Sequence, residues 1–206
     1  MVREAKIHTT VLVGQGILMI FLGLALFWVR STMTNVLFEA TGTVVAVLLT
    51  AAGLLLIGVI DAIGGLALHH GHRRELHFYL FFAALAMIAG IFFWLSPWGS
   101  VQLLAVLAGL QGLIWGAWDL RFASHLSDHP RERRALRFMG IITLSLGVLL
   151  VLAMALTSRG ALFLLSTYVI YIGIHILLIG MYIYHPWKNV FPTGKHIAPS
   201  SDTKLI

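Results

Sequence analysis

With 206 residues, 59% of them hydrophobic, and a mean hydropathy of +0.93, the chain is sized for one domain and is far too apolar for a soluble one. It has no cysteine, which excludes a disulfide framework, a thiolate metal site and a cysteine nucleophile. Its net charge of +6 raises nucleic acid as a partner, but the cations gather at junctions between apolar runs and not along a groove-sized patch, so no nucleic-acid role is expected.

Six stretches, near 10–29, 43–67, 77–95, 98–120, 138–157 and 161–184, are apolar over about the ~20 residues that a bilayer crossing needs. The first lacks a small-x-small cleavage site and ends in Phe27-Trp28-Val29-Arg30, so it reads as a membrane helix and not a signal peptide. Residues 31–42 read as the longest outer connection, with room for a short interfacial helix. Ser96-Pro97 pairs a capping residue with a first-turn proline and predicts a tight turn into the fourth helix. Tryptophans 28, 94 and 98 fall at one set of helix ends and 115, 118 and 187 at the other, as in an aromatic belt. The tail, 186–206, is polar and proline-containing and predicts loose order.

Twelve of the fourteen Lys and Arg residues fall on one side of this topology, with Arg30 and Arg159 on the other. The positive-inside rule then places both termini in the cytoplasm. The same cations suit anionic lipid headgroups on that face.

A small-residue pattern recurs three times: Gly16-x6-Gly23, Ala83-x6-Gly90 and Gly140-x6-Gly147. A second follows it, Gly58-x-x-Asp61 and Gly116-x-x-Asp119, with Gly180 aligned to Gly58 and Gly116 in the third run. The expected fold is therefore all-α: one membrane domain, 1–185, of six transmembrane helices built as three parallel tandem helical hairpins (about 8–68, 77–122 and 138–185), followed by a cytoplasmic tail. A rough threefold core is the simplest packing.

That alignment puts Gly53, Gln111 and His175 at one level, near the midplane, with Gln15 nearer the inner face. Polar groups at such depth are costly and mark candidate sites, so His175, Gln111 and Gln15 form a candidate midplane site for a proton or ligand; the alternative is interhelical hydrogen bonding. Asp61 and Asp119 sit in last helical turns, where the helix dipole disfavours an anion. They are expected to form inner-face ion pairs, Asp119 with Arg121 and Asp61 with Arg73 or Arg74. Ile183 takes the aligned place in the third unit, so no symmetric acid ring forms. His69, His70, His72 and His77 are weak metal candidates, since Arg73 and Arg74 would repel a cation; a basic interfacial loop is the plainer reading. No metal or other cofactor is expected. No nucleophile elbow, Ser-x-x-Lys, HExxH or phosphate loop occurs, so no enzyme is expected.

The run Gly16-Ile-Leu-Met-Ile-Phe-Leu-Gly23 and the second-helix type Leu56-Ile-Gly-Val-Ile-Asp-Ala-Ile-Gly64 resemble those of the HdeD-like small membrane proteins, over about residues 10–185. The resemblance implies a six-helix bacterial inner-membrane protein associated with acid resistance, and it brings no catalytic residues. A structural or stress-protective role follows as the expectation, including service as an accessory subunit on a membrane-protein partner or as a homo-oligomer. A transporter or channel for protons or a small solute, and a metal-binding membrane protein, stay open as alternatives. A cytoplasm-only reporter inserted after residue 71 or 127 is expected to be active, and one after residue 157 inactive; the reverse pattern would invert the topology.

Overall fold

A computed structural model describes residues 2–67, 73–96, 101–125 and 130–190. These form six helices: α1 Val2–Thr32, α2 Val36–Ala67, α3 Arg73–Leu95, α4 Val101–His125, α5 Pro130–Leu152 and α6 Ser158–Val190. Five stretches are long and apolar enough to cross a membrane: Thr9–Thr32, Val36–Gly64, Val101–Arg121, Arg133–Ala155 and Ser158–Met181. None of the helices has a marked polar face, and large apolar side chains such as Phe21, Leu56, Ile88, Ile114 and Phe138 stand exposed around the bundle. Water does not tolerate apolar surface on that scale, whereas hydrocarbon does. The chain is a multi-pass membrane protein.

Three boundaries differ from the sequence expectation. The connection expected over 31–42 is only three residues long, because α1 runs to Thr32 and α2 begins at Val36. Asn35 starts α2: its Oδ1 accepts a hydrogen bond from the Phe38 amide (3.0 Å), which satisfies an otherwise orphaned donor. In α3 the uninterrupted apolar part is Leu80–Leu95, about 24 Å at helical rise, because Arg73, Arg74, Glu75 and His77 occupy its first turns. At the other end of the chain α6 continues through Pro186 to Val190. The far end of α5 tightens into a single 3₁₀ turn, Ala153–Ala155, and Thr157 Oγ1 then receives the Gly160 amide (3.3 Å) to open α6.

The tightest helix pairs are α1 with α6, α2 with α3, and α4 with α5. Each follows one rule. Two small residues seven apart on one helix meet two on the other, so that backbone lies on backbone. On α2 and α3, a Cβ on Gly58 would stand 2.9 Å from the Ala83 carbonyl oxygen, and one on Gly90 3.0 Å from that of Ala51. On α4 and α5, the distances are 2.8 Å from Gly109 to the Gly147 oxygen and 2.9 Å from Gly116 to that of Gly140. On α1 and α6 they are 2.8 Å from Gly16 to Gly173 and 3.0 Å from Gly23 to Ser166. In every case the odd-numbered helix packs on the even-numbered helix that precedes it, and α1 on α6 closes the series.

The packed pair is thus offset by one helix from the hairpin expected from the sequence. Within the expected hairpins, α1 and α2 do pack, but α3 touches α2 alone and makes no packed contact with α4 among the described residues. The pairs above are antiparallel, since their contact positions rise on one helix as they fall on the other. By contrast α4 and α6 run parallel at a constant offset of 56: Gln102 donates to Ser158 (3.4 Å), Gly112 faces the Tyr168 ring, and Asp119 faces His175. The start of α1, the end of α6, the ends of α2 and α4 and the starts of α3 and α5 therefore share one end of the bundle, called here the terminal end.

The fully buried apolar core fills the opposite half, with Leu26, Val47, Leu104, Leu150, Leu162 and Leu165 at its centre. Lipid tails are as apolar as these side chains, so the bundle is held by close packing and not by transfer from water. Gly109→Ala should therefore lower the melting temperature in detergent, because its Cβ would meet the Gly147 backbone. Gly14→Ala, with nothing within 4 Å of the added atom, should raise it, since helix propensity favours Ala over Gly by about 1 kcal/mol. Circular dichroism melts of both variants check the pair; equal shifts would refute the seam.

Candidate functional site

The two repeated acids lie buried at the terminal half of the bundle, three residues beyond the second glycine-seam position of their helices. Each faces a polar side chain from another helix. Asp61 on α2 accepts a 2.5 Å hydrogen bond from Gln15 Nε2 on α1. Asp119 on α4 points Oδ2 at His175 Nε2 on α6, 3.8 Å away. Neither of those last two atoms has a hydrogen-bond partner, and both residues are buried, at 7% and 6% exposed.

Local structure sets this geometry. The Gly116–Gly140 contact draws α5 against α4 until a Cβ on Gly140 would touch the Asp119 Cβ at 3.0 Å. That leaves the Asp119 carboxyl to turn toward α6. His175 lies one turn beyond Tyr171, whose ring centroid is 6.0 Å from its own. The Tyr171 hydroxyl donates to the Met139 carbonyl on α5 (2.8 Å), and the fully buried Thr143 hydroxyl lies 3.5 Å from the same phenol oxygen. Three helices thus contribute one polar cluster: Asp119 from α4, Met139 and Thr143 from α5, Tyr171 and His175 from α6.

The cluster differs from the sequence-derived one, and the reason is a register. On α6 small residues occur at 166, 173 and 180, all seven apart. The sequence reading aligned Gly180 with Gly58 and Gly116. In the structure Gly173 takes that place, opposite Gly16, which slides α6 by two turns. Tyr168, not His175, then lies at the level of Gly53 and Gln111, and Ile176, not Ile183, holds the place of the acids. His175 drops to the Asp119 level, while Gln111 is eight residues away along α4, about 12 Å, and is exposed. Gln15 joins Asp61 and not a midplane group.

Arg121 lies on an exposed face. Residues two apart on a helix point in nearly opposite directions, so Asp119 turns to α6 instead of to Arg121. His77 is exposed; His69, His70 and His72 lie outside the described residues, as do the side chains of Arg73 and Arg74. No group of three or more potential metal ligands occurs among the described residues. At the far end Arg30 stacks over Phe163 (4.6 Å to the ring centroid) and Phe27 (5.6 Å), a cation–π contact between α1 and α6 that the sequence reading passed over.

Chemically the two acid sites are unlike. An amide donor cannot change charge, so Gln15–Asp61 is a fixed interhelical tie. Asp119 and His175 both bind protons, and a single shared proton would satisfy the two unpartnered atoms. No protein-family model, no curated protein and no solved structure matches the chain.

Gln15→Leu removes the donor to a buried carboxyl and should cost about 1–3 kcal/mol of stability. Adding Asp61→Leu to it should recover most of that loss, because an apolar pair leaves no orphaned group. Thermal unfolding of the two single variants and the double variant in detergent measures the coupling; additive losses would show that the tie does not exist.

Proposed function

We propose that this protein is a non-enzymatic component of a bacterial inner membrane, with both termini cytoplasmic, that responds to acid through a proton held between Asp119 and His175. The observation that carries the proposal is that pair: two buried proton-binding groups from different helices, 3.8 Å apart, with their facing atoms unpartnered. An ionisable group within a membrane span is expensive and marks function by default.

The pair has three proton states. With one proton it is neutral overall, either as a hydrogen-bonded acid and imidazole or as an ion pair, and it ties α4 to α6. A second proton leaves imidazolium beside a neutral acid, a net positive charge among packed helices. That state is costly in low dielectric and favours separation of α4 from α6 at the terminal end. Acid therefore acts on helix packing through the charge of a single site. Tyr171 and Asp119 are the titratable groups that face His175, with Gln15 and Asp61 held together on the adjoining α1 and α2.

The HdeD-like resemblance is part of this proposal and agrees with it, since that family is associated with acid resistance; a stress-protective or accessory role follows. The rival reading, conduction of protons or a small solute, is less well supported. Gln111, which was to continue the polar route, is exposed, and most of the far half of the bundle is apolar core, although Tyr168, Ser166 and the Gln102–Ser158 hydrogen bond lie within it. A route to the pair is short only from the terminal end.

Infrared difference spectra of the protein in lipid nanodiscs, recorded on acidification, test the reading. With Asp61→Asn as background, so that Asp61 does not contribute, a protonated-carboxyl band that responds to acid is expected, and it is expected to vanish when Asp119→Asn is added and to shift when His175→Gln is added. Spectra of Asp119→Asn identical to those of the native chain would refute it.

A further inference from the structure

Gln111 stands where a polar side chain is least at home. It is the middle residue of the span Val101–Arg121, about 15 Å from either end at helical rise. It is exposed, and among the described residues no hydrogen bond reaches it. The helices that pack on α4, namely α5, α6 and α2, lie on its other faces, and α3 does not touch it. Of the described residues exposed deep within the spans, only Gln111 and Ser145 are polar. A serine hydroxyl can bond back to its own helix. A glutamine amide, with two donors and an acceptor, is not satisfied that way.

Its neighbours on the same face complete a seam. Leu107, Gln111, Ile114 and Trp118 follow one another at intervals of four, three and four, and all are exposed. That is the spacing by which two helices interlock side by side in a left-handed crossing. A polar residue at one core position of such a seam specifies register and partner number.

We propose that this face of α4 binds a second copy of the same chain, in a two-fold dimer whose axis runs along the membrane normal. The axis brings Gln111 of each copy to the same depth, and each amide then donates to the other. The amide is self-complementary, so a second copy pairs one donor and the acceptor of each. The flanking Leu107, Ile114 and Trp118 shield the pair from lipid. This dimer does not depend on the proton site, whose Asp119 is buried toward α6 about a quarter-turn around α4 from Gln111.

The native chain has no cysteine, so single-cysteine crosslinking in vesicles of phosphatidylethanolamine and phosphatidylglycerol reads the contact directly. Leu107→Cys is expected to form a disulfide-linked dimer on mild oxidation. Ile88→Cys, on the exposed face of α3, is expected to stay monomeric. Energy transfer between labelled copies of the otherwise native chain should show dimers, and Gln111→Leu should weaken association roughly three- to tenfold, the range for one interhelical polar contact in a bilayer. Gln111 is exposed, so the variant leaves the fold of each copy intact, which an unchanged circular dichroism melt verifies. Equal crosslinking at 107 and 88, unchanged association in Gln111→Leu, or a native chain that is monomeric in vesicles while Leu107→Cys captures another protein in native membranes would each overturn the proposal.

Discussion

In hydrocarbon, burying one apolar side chain against another contributes almost nothing over leaving it in lipid, so helices hold together only where their backbones come close. That constraint organises the bundle. Three pairs of helices meet through small residues seven apart, with backbone oxygens positioned where any Cβ would collide. The α1–α6 seam joins the two ends of the chain and turns a string of helices into a closed arrangement. Without such a seam contact is looser, as between α1 and α2 or α4 and α6, or missing: α3 and α4 are consecutive in sequence, yet they do not pack among the described residues. Chain connectivity sets which helices could be neighbours, and the glycines decide which ones are.

A seam built on a seven-residue spacing has a weakness: it fits equally well when slid by seven. On α6 the small residues at 166, 173 and 180 offer two such registers. The spacing of seam glycines along the chain agrees with the register that packs Gly173 on Gly16. Gly58 to Gly116 is 58 residues and Gly116 to Gly173 is 57, matching the 57 from Gly90 to Gly147, whereas Gly116 to Gly180 is 64. The first unit is longer than the others, which blurs the period when spacings are compared across all three. Two turns of slip decide which polar residue the Asp119 carboxyl meets, and with it the chemistry of the site.

The legible part of this protein was the part encoded in long runs. Membrane class, the number of helices and the small-residue stripes all stand in the sequence. So do Asp61, Asp119, Gln15 and His175 as the residues worth attention. The partnerships were not legible, because they depend on angular position and register, which differ by one or two turns that hydropathy cannot resolve. Arg121 looked available to Asp119 by proximity in sequence, but it points away around the helix. Gln111 looked like a buried partner by depth, yet depth carries no information about which face is covered. The three-residue link before α2 was hidden because Val36, Leu37 and Phe38 are apolar while Ser31, Thr32 and Thr34 around them are polar, and only the Asn35 cap separates helix from link.

The scaffold places its two acids equivalently and gives them unlike neighbours. Asp61 meets an amide, a donor that stays a donor at any pH, and the result is a tie. Asp119 meets an imidazole, which donates or accepts according to its proton, and the result is a pair with more than one charge. Both acids lie within three residues of the terminal end of their spans, about 5 Å deep at most, where charge costs least in a bilayer and water is nearest. Beyond them the other half of the bundle is packed mainly with apolar side chains, although the buried Tyr168 and Ser166 and the Gln102–Ser158 hydrogen bond lie within it. A proton therefore has its shortest way to such a site from the terminal end. Sensing requires only that a proton reach the pair, whereas conduction would also require a connected path through the far half.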